Sequence, residues 1–240
     1  MSGHSKFNNI KHTKEKMDAK RGKIFTKLGK EIAVAVKMGG SDPNSNAKLY
    51  NIIVKARSNN MPNDNIQRSI KKAAGELGGS NYEEITYEGY GVGGSAVIVN
   101  VLTDNKNRAA GDIRHIFDKF GGSLGSTGCV SYMFTRKGVL VIEKNENITE
   151  DQLFEWALEN EADDVIDDGD VFEVYSSPDK FNAVREALAN KGIVFLSANI
   201  EFVPSSYIDL DEKQAESFEK LIDALEDNDD VQEVFHNVNL

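Results

Sequence analysis

The spacing of apolar side chains divides the chain into a helical first third and a mixed remainder. From about 17 to 38, apolar residues recur every three or four positions, which predicts an amphipathic helix. The same spacing predicts a second helix over about 47–59 and a third over about 61–75. Residues 2–15 show no apolar periodicity, so we expect them to be extended or disordered until a partner binds them.

Beyond a glycine-rich boundary at about 75–81, the pattern changes to strands that alternate with helices. Strands are predicted at about 82–90, 95–102, 129–134, 139–143, 165–166, 172–175, 194–203 and 231–237. Helices are predicted at about 106–120, 150–160, 179–190 and 212–226. The elements from the strand at 139–143 to the strand at 194–203 follow the order βαββαβ, which is the ferredoxin-like order.

The pattern as a whole predicts an α+β fold with three domains. We assign 1–76 to a basic arm and a three-helix domain, 77–135 plus 205–240 to a discontinuous middle α/β domain, and 136–204 to an inserted ferredoxin-like domain. The middle domain is discontinuous because the last helix and strand supply what the earlier strands lack for a second ferredoxin-like unit.

Charge is distributed unevenly along the 240 residues, whose formal net charge is −11. Residues 1–72 carry 16 Lys and Arg against 5 Asp and Glu, whereas residues 73–240 carry 12 against 34. Because salt screens charges beyond about 8 to 10 Å, a polyanion responds mainly to the local surface. The basic first third therefore favours nucleic acid as a partner. The alternative is a set of solvated lysines that the acidic remainder of the chain neutralises.

A lysine stripe strengthens the nucleic-acid hypothesis. In the predicted first helix, five lysines fall within an arc of roughly 80° on the flank opposite the apolar face. With the other cations of the arm and the helix they form the predicted binding set: Lys6, Lys11, Lys14, Lys16, Lys20, Arg21, Lys23, Lys27 and Lys30. Secondary candidates are His4, Phe7, His12, Arg68, Lys71, Lys72, Arg108 and Arg114.

No pattern in the sequence indicates catalysis, a metal or a cofactor. Gly89–Gly94 fits G-x-G-x-x-G but precedes a strand, so a bound phosphate would find no helix N-terminus there. The four histidines lie too far apart for a zinc site. The acidic runs at 163–170 and 226–230 lack EF-hand spacing, and we interpret them as solvated surface. We expect the protein not to be an enzyme.

The sequence also predicts a cytoplasmic protein without a membrane partner. No apolar run approaches the roughly 18 residues that a bilayer span needs, and the polar, basic N-terminus lacks a secretory signal. A single cysteine, Cys129, fits a reducing compartment.

The βαββαβ order is also that of an RNA-recognition motif, in which aromatic side chains on the sheet stack on bases. The strand at 139–143 has no aromatic residue at the stacking positions. Tyr132 and Phe134 alternate onto one face of their predicted strand, and we expect both to belong to the core. Base stacking on this sheet is therefore the weaker hypothesis.

Seven motifs occur along the chain in an order that identifies a family. They are Gly3-His4-Ser5-Lys6, Asn9-Ile10-Lys11-His12, the run from Asp18 to Lys27, Asn60-Met61-Pro62, Tyr87-Glu88-Gly89-Tyr90-Gly91, Thr103-Asp104-Asn105 and Arg114-His115. Together they closely resemble the YebC/PmpR family, whose mitochondrial relatives include the translational activator of cytochrome c oxidase. Two positions depart from the family pattern: Phe7 replaces a tryptophan and Val92 replaces a proline.

The resemblance implies a three-domain fold and no known catalytic activity. It implies a cytoplasmic, DNA-binding transcriptional regulator, or a ribosome-associated factor that helps translation through stretches such as consecutive prolines. The two functions share a first step, in which basic residues neutralise phosphates. For the acidic remainder we consider two roles: repelling bulk nucleic acid, or binding a basic protein partner such as a ribosomal protein.

Overall fold

The computed structural model describes residues 5–75, 81–145 and 148–239, with side chains described from Gly22 onward. The fold is α+β, as predicted. The helices are α1 Ser5–Gly39, α2 Ala47–Ser58, α3 Asn63–Gly75, α4 Lys106–Lys119, α5 Glu150–Glu159, α6 Phe181–Asn190 and α7 Glu212–Glu226. The strands are β1 Glu83–Tyr90, β2 Ala96–Thr103, β3 Ser123–Leu124, β4 Phe134–Glu143, β5 Asp164–Asp168, β6 Val171–Ser176, β7 Phe195–Pro204 and β8 Val231–His236.

The chain divides into two compact units. The first comprises Met17–Cys129 and Glu212–Val234, and the second comprises Met1–Lys16, Val130–Asp211 and Phe235–Leu240. The predicted domain boundaries at residues 76, 135 and 205 stay predictions.

No helix in the described ranges is both long enough and apolar enough to cross a membrane.

In the first unit, α1, α2 and α3 pack around one apolar core. The apolar positions of each helix recur at helical spacing, so each helix has one face to bury. Leu28 and Ile32 of α1, Leu49 of α2 and Ile66 of α3 are almost completely buried in this core. Asn46 fixes the connection between α1 and α2, since its amide nitrogen donates to two backbone carbonyls at the end of α1 and its oxygen caps α2.

The first unit also contains a four-stranded sheet with the order β3-β1-β2-β8. Strands β1 and β2 form an antiparallel hairpin in which Glu83 pairs with Thr103 and Tyr90 pairs with Ala96. A Cβ atom at Gly89 would lie 2.8 Å from the ring of Phe117 in α4. Glycine at this position therefore lets α4 approach the sheet closely.

The second unit contains the predicted βαββαβ arrangement. Its sheet has the order β5-β6-β4-β7 and all its strand pairs are antiparallel. One face of the sheet, with Leu140 and Phe172, forms a core with Leu153 of α5 and Leu188 of α6. The order and the covering helices are those of a ferredoxin-like fold.

Two sequence predictions about local structure are wrong. Helix α1 begins at Ser5, so the expected extended arm is helical over residues 5–15. Three lysines and one glutamate in this stretch have good helix propensity, and a helix needs no apolar stripe to form. The strand expected at 129–134 is instead a turn followed by one turn of 3₁₀-helix, and Tyr132 is 75% exposed. Only Phe134 has the core position that we expected for both aromatic residues.

Candidate nucleic-acid interface

The lysines near the middle of α1 lie on one face and all donate to a short acidic segment. We call residues 226–230, which contain the end of α7 and the turn after it, the acidic turn. The Nζ atom of Lys27 lies 2.7 Å from the carbonyl oxygen of Glu226. The corresponding distances are 3.0 Å from Lys23 to the carbonyl of Asp227 and 2.9 Å from Lys30 to that of Asp229. We call these three side chains the lysine face.

The acceptors of the lysine face are backbone carbonyls, and their position explains the contact. The last carbonyls of a helix have no partner within the helix and carry the negative end of its dipole. Lys27 satisfies one of these carbonyls, that of Glu226, while Lys23 and Lys30 donate to carbonyls of the turn after α7. Burial lowers the pKa of Lys27, although nearby acidic groups such as Glu226 act in the opposite direction. The lysine face therefore joins α1 to the end of α7.

A buried carboxylate anchors this contact at its inner end. The side chain of Asp230 is only 8% exposed, and its oxygens lie 2.7 Å from Nζ of Lys30 and 2.7 Å from a terminal nitrogen of Arg108. The hydroxyl of Thr103 donates to the same carboxylate at 2.9 Å. Burial works to raise the pKa of Asp230, but these three hydrogen bonds outweigh it and hold the pKa below its ordinary value.

Sequence reasoning missed the role of Asp230. Its only signal was its place in the run 226–230, which we interpreted as solvated surface. The structure instead buries one of these carboxylates beneath Lys30 and Arg108, while the neighbouring Asp229 side chain stays exposed.

Lys55 of α2 is neutralised in a similar way. Its Nζ atom lies 3.3 Å from a carboxylate oxygen of Glu31 and 3.4 Å from one of Glu233. Burial works to lower the pKa of Lys55, but the two carboxylates outweigh it and raise the pKa. Burial also raises the pKa of Glu31, although Lys55 partly opposes this. A second basic residue of the helical region is therefore engaged within the first unit.

The outer face of α3 is different, because its cations are exposed. Asp64, Gln67, Arg68, Lys71 and Lys72 line a shallow depression on this face, and all five are exposed. Neither Arg68 nor Lys71 forms an ion pair with any residue that the structure describes. We call these five residues the α3 face.

The other predicted site residues fall into two groups. Arg108 is held by Asp104 and Asp230, whereas Arg114 is exposed on α4. The remaining predicted residues have side chains outside the described set: His4, Lys6, Phe7, Lys11, His12, Lys14, Lys16, Lys20 and Arg21.

The glycine-rich segments serve the fold of the first unit. The side chain of Glu88 accepts a hydrogen bond from the backbone nitrogen of Gly128 at 2.8 Å. The hydroxyl of Tyr90 donates to the carbonyl of Cys129 at 2.8 Å. The motif at 87–91 therefore ties the loop after α4 to β1.

Within the described residues, no group of three or more His, Cys, Asp or Glu side chains is arranged to hold a metal ion.

Comparison with known families covers almost the whole chain. A family model described as the TACO1/YebC protein N-terminal domain matches residues 5–76. A second model, described as the TACO1/YebC second and third domain, matches residues 82–238.

Individual relatives agree with these matches. A probable transcriptional regulatory protein of Hathewaya histolytica is 57% identical over 99% of this chain and 96% of its own length. One of Acetivibrio thermocellus is 56% identical over 99% of this chain and 98% of its own length. The crystal structure of a conserved hypothetical protein from Aquifex aeolicus aligns with a TM-score of 0.82 at 45% identity, covering 92% of this chain and 91% of that one.

Proposed function

The chain belongs to the TACO1/YebC family, and from this membership and its exposed basic surface we propose that it is a non-enzymatic, nucleic-acid-binding regulator of gene expression. Relatives that share more than half of its residues are named probable transcriptional regulatory proteins, which supports a regulatory role. The α3 face is the part of the described structure that we assign to nucleic-acid contact.

The observation that carries the proposal is the contrast between engaged and exposed cations. The lysine face and Lys55 are occupied by acceptors of the first unit. Arg68 and Lys71 instead face solvent at the surface of the basic region. An exposed cation can exchange water and counterions for phosphate without first breaking an internal contact.

The α3 face also carries groups that can do more than neutralise phosphate. Arg68 can donate two hydrogen bonds to a guanine, and Gln67 can pair with an adenine edge. Both lie on one exposed helical face together with Lys71, which suits a helix that enters the major groove. Basic residues of the N-terminal part of α1 would add phosphate contacts. If about six cations engage duplex DNA, log K should fall against log salt with a slope near −5.

The test is a charge reversal on the α3 face with a matched control. We expect Arg68→Glu with Lys71→Glu to weaken binding to a mixed-sequence DNA duplex by more than about tenfold. The control Lys213→Glu reverses an exposed lysine on α7 and should leave binding unchanged. Unaltered affinity of the double variant, with a native melting curve, would refute the assignment to α3.

A ribosome-associated translation factor is the second candidate function. The observation that favours it is that most cations of the basic region are lysines, which position a nucleic acid but specify sequence poorly. Sedimentation of the protein through a sucrose gradient with purified ribosomes distinguishes the two. Comigration that Arg68→Glu with Lys71→Glu abolishes would favour ribosomal RNA, whereas free protein at the top of the gradient would favour DNA.

A further inference from the structure

The segment around α5 carries a large share of the negative charge of the chain. Residues 143–170 contain 12 Asp and Glu against a single Lys. That lysine, Lys144, is paired with Asp167 at 2.5 Å. The balance of −11 over this segment equals the formal charge of the whole protein. A surface of this kind repels nucleic acid and attracts cationic partners.

Helix α5 also exposes two large apolar side chains one turn apart. Phe154 is 45% exposed and Leu158 is 44% exposed, and a spacing of four places them on the same face of the helix. The adjacent face of the helix is already buried, since Leu153 and Ala157 are inaccessible in the core of the second unit. Packing within this unit therefore does not account for the exposed pair.

Acidic side chains surround this apolar pair. Glu150, Asp151, Glu155 and Glu159 all lie on the exposed side of α5. Single exposed apolar residues are ordinary on protein surfaces, whereas an apolar cluster with a charged rim is typical of an interaction site. The charged residues of α5 itself are all acidic, so charge complementarity favours a cationic partner.

We propose that the outer face of α5 is a docking surface for a basic protein segment that also carries apolar side chains. Its Lys and Arg residues would pair with the carboxylates of the rim, and its apolar residues would cover Phe154 and Leu158. Electrostatic attraction would speed association, while apolar contacts would slow dissociation. This inference does not depend on the nucleic-acid contact proposed for α3.

The experiment uses the full chain and two fluorescent-labelled peptides. One is a helical peptide of lysine and leucine with an apolar stripe and no aromatic residue, and the other contains the same residues in a scrambled order without a stripe. Fluorescence anisotropy of the label reports affinity.

We expect the striped peptide to bind at least about tenfold more tightly than the scrambled one. Phe154→Ser with Leu158→Ser should remove this preference. Val194→Ser, at an 82% exposed apolar residue of the same unit, should leave it intact. Glu155→Gln with Glu159→Gln should weaken binding of both peptides and reduce its dependence on salt, and this pair keeps the test valid if the serine variant fails to fold.

Two results would overturn the proposal. Equal affinity for both peptides would mean that the surface attracts cations without using its apolar residues. A preference for the striped peptide that survives Phe154→Ser with Leu158→Ser would place the contact elsewhere.

Discussion

The lysine face of α1 and the α3 face belong to the same basic helical region but present their charges differently. Lys27 and Lys30 are half-buried, and their ammonium groups donate to the acidic turn at 2.7 to 2.9 Å. Arg68 and Lys71 are exposed, and no described residue forms an ion pair with them. One surface holds two helices of the first unit together, and the other remains accessible to a partner.

This difference shows that a basic stripe can be a structural element. The lysine face is satisfied by the carbonyl of Glu226 at the end of α7 and by carbonyls of the turn after it, and a helix leaves its last carbonyls without partners of its own. A nucleic acid that approached the lysine face would have to replace these hydrogen bonds as well as water. Binding to Arg68 and Lys71 of the α3 face requires no ion pair with a described residue to be broken.

Removal of the Asp230 carboxylate should have the largest effect on stability. Asp230→Ala removes a buried acceptor that Lys30, Arg108 and Thr103 share, and we expect the free energy of unfolding to fall by about 3 kcal/mol. Urea denaturation measures this change. Asp229→Ala removes an exposed neighbouring carboxylate and should cost less than about 0.5 kcal/mol. Similar losses in the two variants would contradict the anchoring role of Asp230.

Charge reversal within the lysine face should have the next largest effect. Lys27→Glu places a carboxylate against the carbonyl of Glu226, and we expect a loss of about 2 kcal/mol in the free energy of unfolding. The counterpart on the other surface is Lys71→Glu, which should change stability by no more than about 0.5 kcal/mol. Thermal melting of both variants measures how much stability each one loses. Equal loss from both would show that the two surfaces do not differ as described.

The smallest expected effect is a pH dependence of stability that comes from Asp230, beneath the lysine face. Because the folded protein holds the pKa of Asp230 below its ordinary value, ionised Asp230 contributes stability above about pH 4. That contribution is lost as the pH falls through the lowered pKa. The stability advantage of the natural protein over Asp230→Asn should therefore shrink below about pH 4. A stability advantage over Asp230→Asn that persists undiminished below about pH 4 would contradict a lowered pKa for Asp230.

Local features of the fold could be predicted from the sequence alone. Apolar spacing located α2, α4 and α7 to within about one residue of their observed ends, because the period of 3.6 residues reflects which side of a helix must be buried. The order of elements predicted the α+β class and the ferredoxin-like sheet. Helical spacing also placed the described lysines of α1 on one side of the helix.

The sequence did not reveal which of the predicted cations remain exposed. Lys27 and Glu226 are 199 residues apart in the chain, and Lys30 and Asp230 are 200 apart. Periodicity shows which face of a helix turns away from its own core, but not which distant element packs against that face. The tertiary structure brings the end of α7 to the lysine face and leaves the α3 face exposed. The physical reason is that the carbonyls at the end of α7 need donors, and the chain supplies them from α1.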